Sequence, residues 1–178
     1  MRIVQGMTLF WRSKEVFSNW YLSTFVYMGI EFNCSEQAMM WLKAMFFGDL
    51  ETAKKILAEP LPRKQKALGR EVKGFVKEVW DAVCEDLMVP VLVAKFRQDK
   101  VCLKAMVESE GTELVEASPD DTIWGIGLEE KDPRVLDRSK WLGENRLGKV
   151  LMRARPSVLV WNRLCQARHA QPQTGQLF

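Results

Sequence analysis

Residues 35–47, SEQAMMWLKAMFF, are apolar on almost every face of a helix. Such a helix has no side to offer solvent, so the rest of the chain must wrap around it. Between Glu36 and Gly48 only Glu36 and Lys43 ionise. They stand seven positions apart, which sets them about 20° apart on one helical face. A carboxylate and an ammonium on an otherwise apolar helix must pair, line a cavity or bear a large desolvation cost. The acid also has a local alternative. Asn33-Cys34-Ser35-Glu36 has the spacing of a capping box, in which Glu36 bonds the backbone N–H of Asn33. Cap and cavity wall are compatible, and the pattern leaves both open.

The 178 residues are enough for one domain with a sizeable core. Residues 24–33 read as a hairpin turning near Met28-Gly29. Asp49 is placed to cap a short helix that ends before Pro60-Leu61-Pro62. From Arg63 to about Met88 apolar residues recur every three or four positions, which predicts one long amphipathic helix, broken or kinked at Pro90. Helix resumes through Leu92–Phe96 and again near Cys102–Val107. Gly111 stops it, and Glu113–Ala117 reads as a short strand. Residues 118–138 are loop-rich, and a loop this long inside a compact domain is more often functional than idle. A last core helix is expected from Asn145 to Arg155. After Pro156, residues 157–165 read as one or two more helical turns, and the polar residues 166–178 as frayed. The expected fold class is mainly α: a compact single helical domain over residues 1–156 with a small β-hairpin or sheet element. An extension over 157–178, partly helical and then flexible, follows it.

Composition narrows the chemistry. Lys and Arg number 26 against 23 Asp and Glu, a net charge of +3, too weak for a dedicated nucleic-acid binder. The single histidine, His169, argues against a Ser-His-Asp or Cys-His triad in the folded body and against a His-rich zinc site. Acid–base work then falls to Asp, Glu, Lys or one of two tyrosines. No metal and no cofactor is expected. The four cysteines form no Cys-x-x-Cys pair and read as reduced thiols of a cytoplasmic protein. Residues 1–15 hold Arg2, Arg12, Lys14 and Glu15 and lack the apolar run of a signal peptide. No stretch approaches the roughly 20 apolar residues of a membrane span.

Two further stretches draw notice. In Glu116-Ala117-Ser118-Pro119-Asp120-Asp121-Thr122-Ile123-Trp124-Gly125-Ile126-Gly127, adjacent acids follow a strand and a proline turn. Asp120 or Asp121 can cap the next element. Gly125 and Gly127 can mark backbone that approaches a ligand closely. In Trp141-Leu142-Gly143-Glu144-Asn145-Arg146, Asn145 is a candidate N-cap. Arg153 and Arg155 beyond it are either a solvated face or phosphate ligands.

Six segments now fall in one order: Phe17-Ser18-Asn19-Trp20-Tyr21, CSEQAMMWLKA (34–44), KALGREVKGF (66–75), AKF (94–96), LVEASPDDTIWGIG (114–127) and WLGENRLGKVLMRAR (141–155). In that order and spacing, from Phe17 to Arg155, the chain resembles the YbiA-like N-glycosidase family, also called NADAR. The resemblance implies a mostly helical fold and hydrolysis of an N-glycosidic bond at the anomeric carbon of a ribose phosphate. The implied substrates are phosphoribosylamino-pyrimidine intermediates of riboflavin biosynthesis, with release of ribose 5-phosphate. The alternative, from another branch, is removal of ADP-ribose from modified guanine, with ADP-ribosylated nucleic acid as a partner. A non-catalytic module that binds a ribosyl ligand is the second alternative. No membrane and no obligate protein partner is expected.

The resemblance places the family's acidic helix-start residue on Glu36, its helix lysine on Lys43 and its Ser-Pro-x-Asp acid on Asp121. Its Trp-Gly falls on Trp124-Gly125 and its Trp-x-Gly-x-Asn on Trp141, Gly143 and Asn145. Two positions depart: Gln37 stands where many members have His, and Asp120 where Tyr is frequent. N-glycoside cleavage passes through a ribosyl cation-like transition state, which calls for negative charge at the anomeric carbon, a base for water and help for the departing nitrogen. Glu36 is expected as water activator or cation stabiliser. Asp121 is expected to hold ribose hydroxyls or share the base role. Trp124 stacks on the base or walls the pocket, and Lys43, Lys95 and Arg153 are the phosphate candidates. Asn19, Trp20, Gly125, Trp141 and Asn145 complete the expected binding set. A lysine Schiff base with ring-opened ribose is the chemical alternative.

Overall fold

The computed structural model describes the backbone of residues 1–170 and the side chains of residues 1–168. The fold is mainly helical. Strands β1 (Arg2–Val4), β2 (Met7–Phe10), β3 (Phe25–Tyr27) and β4 (Ile30–Phe32) precede helices α1 (Ser35–Phe46), α2 (Leu50–Ala58), α3 (Pro62–Arg70), α4 (Lys77–Gln98) and α5 (Lys100–Glu108). Strand β5 (Glu113–Glu116), two short 3₁₀ turns and helix α6 (Arg146–Ala170) complete it. As the sequence predicts, α1 is buried along ten consecutive residues, Ser35 to Ala44. It packs against α2, α3 and α4. The β3–β4 hairpin turns at Met28-Gly29, where both residues take positive φ (53° and 76°). Asp49 caps α2 by accepting the Thr52 N–H (3.1 Å).

Three expectations are corrected. The helix expected from Arg63 to Met88 is two helices. The chain leaves α3 at Arg70 and turns through Gly74 at φ 72°. The Lys73 N–H bonds the Asp49 carboxylate (2.9 Å), tying the break to the cap of α2. Pro90 does not stop α4, and Pro156 does not end α6, which continues to Ala170 where fraying was expected from residue 166. Both prolines stand exposed, so the carbonyls their missing N–H groups release can be met by water. The remaining expectation, that 171–178 fray, lies outside the described residues.

Strands β1 and β2, which the sequence reading does not contain, form a sheet with β5 in the order β1-β2-β5. β2 and β5 run parallel, pairing Met7 with Glu113 and Phe10 with Glu116. Helices α1–α5 lie between them in sequence, so this pairing carries β5 back beside the N-terminus and presents its last residue, Glu116, at the start of the long loop. Gly148 lets α6 sit directly on β5, since a Cβ there would lie 2.0 Å from the Leu114 carbonyl oxygen. A smaller apolar cluster of Met7, Leu9, Val115, Ala117, Ile126, Leu128 and Val135 anchors the loop beneath the sheet.

Candidate active site

The N-terminus of α1 is capped without Glu36. Cys34 is the N-cap, its sulfur accepting the Gln37 N–H. The Gln37 side chain reaches back to the Asn33 N–H (2.8 Å) and closes the box. Gln37 Nε2 also donates to the carbonyls of Ile56 and Leu57, fastening α1 to the end of α2. The capping-box reading therefore holds one residue later than Glu36. Relieved of that role, Glu36 is 2% exposed, with Oε2 accepting the Trp20 indole N–H (3.2 Å) and Oε1 meeting no protein donor.

Glu36 opens onto a cavity of about 450 Å³ between α1, α3, α4 and the 117–145 loop, a size suited to a small-molecule ligand. Asn19, Trp20, Lys43, Lys66, Arg70, Phe75, Trp80, Glu116, Asp120, Asp121 and Trp124 stand on its wall. Three of the carboxylates on this wall come from three elements: Glu36 from α1, Glu116 from the end of β5 and Asp121 from the loop. Burial pushes the Glu36 carboxyl up to about 7, against the opposing pull of the Lys66 charge. Burial, reinforced by Asp121, pushes Glu116 to about 8. As a residue Glu116 is half-buried, but its Oε2 is sealed from solvent and has no donor. Among the described residues no group of three His, Cys, Asp or Glu side chains is disposed to hold a metal ion.

Of the two loop acids, Asp121 does local work. Its Oδ1 accepts the N–H groups of Ile123 (3.0 Å) and Trp124 (2.8 Å), while Oδ2 faces Lys66 Nζ at 3.4 Å. Asp120 is exposed at the cavity edge. On the basic side, Lys66 and Arg70 lie one turn apart on α3. Lys43 donates to the Gly69 carbonyl (2.7 Å) and sits 3.7 Å from the Phe75 ring centroid. Burial lowers its pKa. Lys43 and Glu36 share the cavity wall, as their helical face predicts.

The structure brings together Asn19, Trp20, Glu36, Lys43, Asp121 and Trp124 from the expected set, and it sets five others apart. Lys95 is fully buried beside the rings of Tyr21 and Phe96, its Nζ turned to the Ser18 carbonyl (3.4 Å) rather than to the cavity. Arg153 is on the surface, paired with Asp86 (2.5 Å) and Glu85 (3.7 Å). Trp141 packs on the smaller cluster and donates its indole N–H to Val135. Asn145 is a clamp: its side chain accepts from Glu116 N–H and donates to Leu114 C=O, both at 3.0 Å. Gly125 is needed by its own loop, because a Cβ there would lie 2.8 Å from Asp121 O and 3.0 Å from Glu116 O. Lys66, Arg70, Phe75, Trp80 and Glu116 are cavity residues to which the sequence reading gives no role. Lys66 and Arg70 carried a signal in their i, i+4 spacing. Glu116 carried none, since a Glu that ends a strand reads as solvated.

Comparison with known proteins agrees with this architecture. The NADAR domain model matches residues 9–159. Protein irg-1 of Caenorhabditis elegans is 38% identical over 87% of this chain and 80% of its own length. N-glycosidase R617 of Acanthamoeba polyphaga mimivirus is 39% identical over 79% of this chain and 86% of its own. The NMR structure of the Escherichia coli protein YbiA superposes with a TM-score of 0.72, covering 90% of each chain at 24% identity, and so shows the same fold.

Proposed function

The chain belongs to the NADAR domain family and is a hydrolase of N-glycosyl bonds, and from that premise we propose that it cleaves phosphoribosylamino-pyrimidines of the kind that arise in riboflavin biosynthesis, releasing ribose 5-phosphate. The observation that carries this reading is the disposition of charge in the cavity. Glu36, freed from capping by Gln37, stands on the cavity wall with one carboxylate oxygen that has no protein donor. Across from it Lys66 and Arg70 form a two-cation edge one helical turn long. Two cations at that spacing suit one phosphate monoester. A pyrophosphate favours open glycine-rich backbone or an arginine pair. Here the Gly125 backbone is closed against Asp121 and Glu116, and the cavity's two arginines, Arg70 and Arg146, stand on different helices, α3 and α6. The cavity therefore favours the monophosphate over removal of ADP-ribose from guanine.

In this reading the phosphate rests on Lys66 and Arg70. Trp124 and Trp20 wall the flat base, and Glu36 takes the proton of the attacking water as the ribosyl carbon loses its nitrogen. Asp121 holds Lys66 and the Trp124 backbone in register. No metal enters the reaction, and its expected setting is the cytoplasm; no helix of the described residues is long and apolar enough to cross a membrane. The test is incubation with a panel of N-ribosides, followed by assay of free ribose 5-phosphate and ADP-ribose, with each product also tried as an inhibitor. Ribose 5-phosphate should be released and should bind at least as tightly as ADP-ribose. ADP-ribose binding 100-fold tighter, about 2.7 kcal/mol, would transfer the assignment to ADP-ribosylated guanine. A ligand bound but never cleaved would leave a binding module.

A further inference from the structure

We propose that Glu116 is a further catalytic residue of this site, the acid that protonates the departing nitrogen while Glu36 receives the proton of the attacking water. The inference rests on the N-glycosidase reading above. It begins with an orphaned atom. Glu116 Oε2 is sealed from solvent and meets no donor from the protein, although the residue stands on the cavity wall. Buried carboxylate oxygens ordinarily find a donor. A buried oxygen without a donor disfavours the ionised carboxylate and favours the neutral acid, the form a general acid needs.

The backbone that carries this side chain is fixed on both sides. The Glu116 N–H is fixed by Asn145 Oδ1 (3.0 Å), and its carbonyl accepts the Ile126 N–H (2.9 Å). The tight passage at Gly125 keeps the loop pressed on that carbonyl. Asn145 accepts a positive φ of 53° in making its clamp, a conformation with a cost for a non-glycine residue. Such fixation suits a group whose position matters.

The charged groups around Glu116 favour its neutral form. Glu36 on α1 and Asp120 and Asp121 on the loop are acids, and the cation that pulls on Glu116, Lys66 of α3, gives its hydrogen bond to Asp121, with Arg70 and Lys43 elsewhere on the cavity wall. Burial with a neighbouring anion pushes the Glu116 carboxyl up to about 8, and burial pushes Glu36 up to about 7. Two carboxyls that reach one space from different elements can divide the acid and base roles. In the step, the Glu116 proton passes to the glycosidic nitrogen and the C–N bonding pair goes with it. The anomeric carbon gains the water oxygen, and the water's second proton goes to Glu36. Glu116 ends ionised and Glu36 protonated. Transfer of that proton back through cavity water restores both.

The experiment compares two substrates in one variant. Without a proton, the nitrogen of a phosphoribosylamino-pyrimidine would depart as a strongly basic anion, so it needs an acid. In a nitro-substituted analogue that anion is delocalised and needs less help. Glu116→Gln, near in shape, should lose about 100-fold or more in kcat on the first and less than 10-fold on the second. Equal losses on both would overturn the proposal and leave Glu116 a positioning residue. The wild-type protein gives a second reading that needs no variant. Its kcat on the parent substrate should fall as pH rises through about 8, and that limb should be weak on the nitro analogue. A limb of equal size on both would also contradict the proposal. Wild-type protein that cleaves neither substrate would instead count against the proposed function.

Discussion

At the scale of single residues, the cavity sets neighbouring acids different tasks. Asp121→Asn keeps an amide oxygen to accept from Ile123 and Trp124, so the loop should hold while the charge opposite Lys66 is lost. Turnover should fall about 100-fold, because Lys66 loses the charge that holds it in place. Asp120→Asn, at an exposed carboxyl, should stay within a few-fold of wild type. The reverse ranking would show that the loop acid at work is Asp120. Glu36 and Glu116 also carry a stability consequence. Their folded pKa values lie above the ordinary glutamate value of 4.5. The folded protein thus retains protons that the unfolded chain releases, and stability falls as pH climbs from about 4.5 towards 7 and 8. Glu116→Gln escapes this cost. Its Tm advantage over wild type should grow between pH 5 and pH 8 in thermal melts. A difference that does not change with pH would mean that Glu116 is ionised in the folded protein.

At the scale of elements, close approaches decide what can change. Gly148→Ala would drive a methyl into the Leu114 carbonyl, which is backbone and cannot move alone. Overpacking of this kind costs about 1–3 kcal/mol, and the loss should appear in chemical denaturation. Gly69→Ala meets the thioether of Met40, a flexible side chain, and should cost less. Elements written by local pattern were legible in the sequence: the buried α1, the Met28-Gly29 hairpin and the Asp49 cap. Elements set by distant partners were not. Nothing near residue 7 announces that Met7–Phe10 pairs with Glu113–Glu116. The break after Arg70 hides inside an unbroken helical period because the contact that ties it down comes from Asp49, the distant cap of α2. Pro90 reads as a break or kink and Pro156 as the end of a core helix because exposure, which makes them tolerable, is a tertiary property.

At the scale of the whole molecule, three remote parts of the chain deliver carboxylates to one space. Glu36 and Asp121 were legible through helical spacing and the family resemblance. Glu116 was not, because its burial is created by the 117–145 loop folding over it. Lys95 and Arg153 show the converse: a basic residue within a matched segment faces the cavity only if its helix is turned that way. The assembled site predicts a narrow pH profile. Activity should rise as Glu36 ionises near 7 and fall as Glu116 ionises near 8, and the acid limb should vanish in Glu36→Gln. Turnover should also survive EDTA, since the proposed chemistry runs on carboxylates and water. Loss of activity that a divalent ion restores would contradict this. The most direct test of the account is the rate at which wild type and Glu36→Gln release ribose 5-phosphate from a phosphoribosylamino-pyrimidine. Because Gln37 rather than Glu36 caps α1, the variant should fold as wild type does and turn over at least about 100-fold more slowly. A folded variant with near wild-type turnover would show that Glu36 is not the residue that activates water.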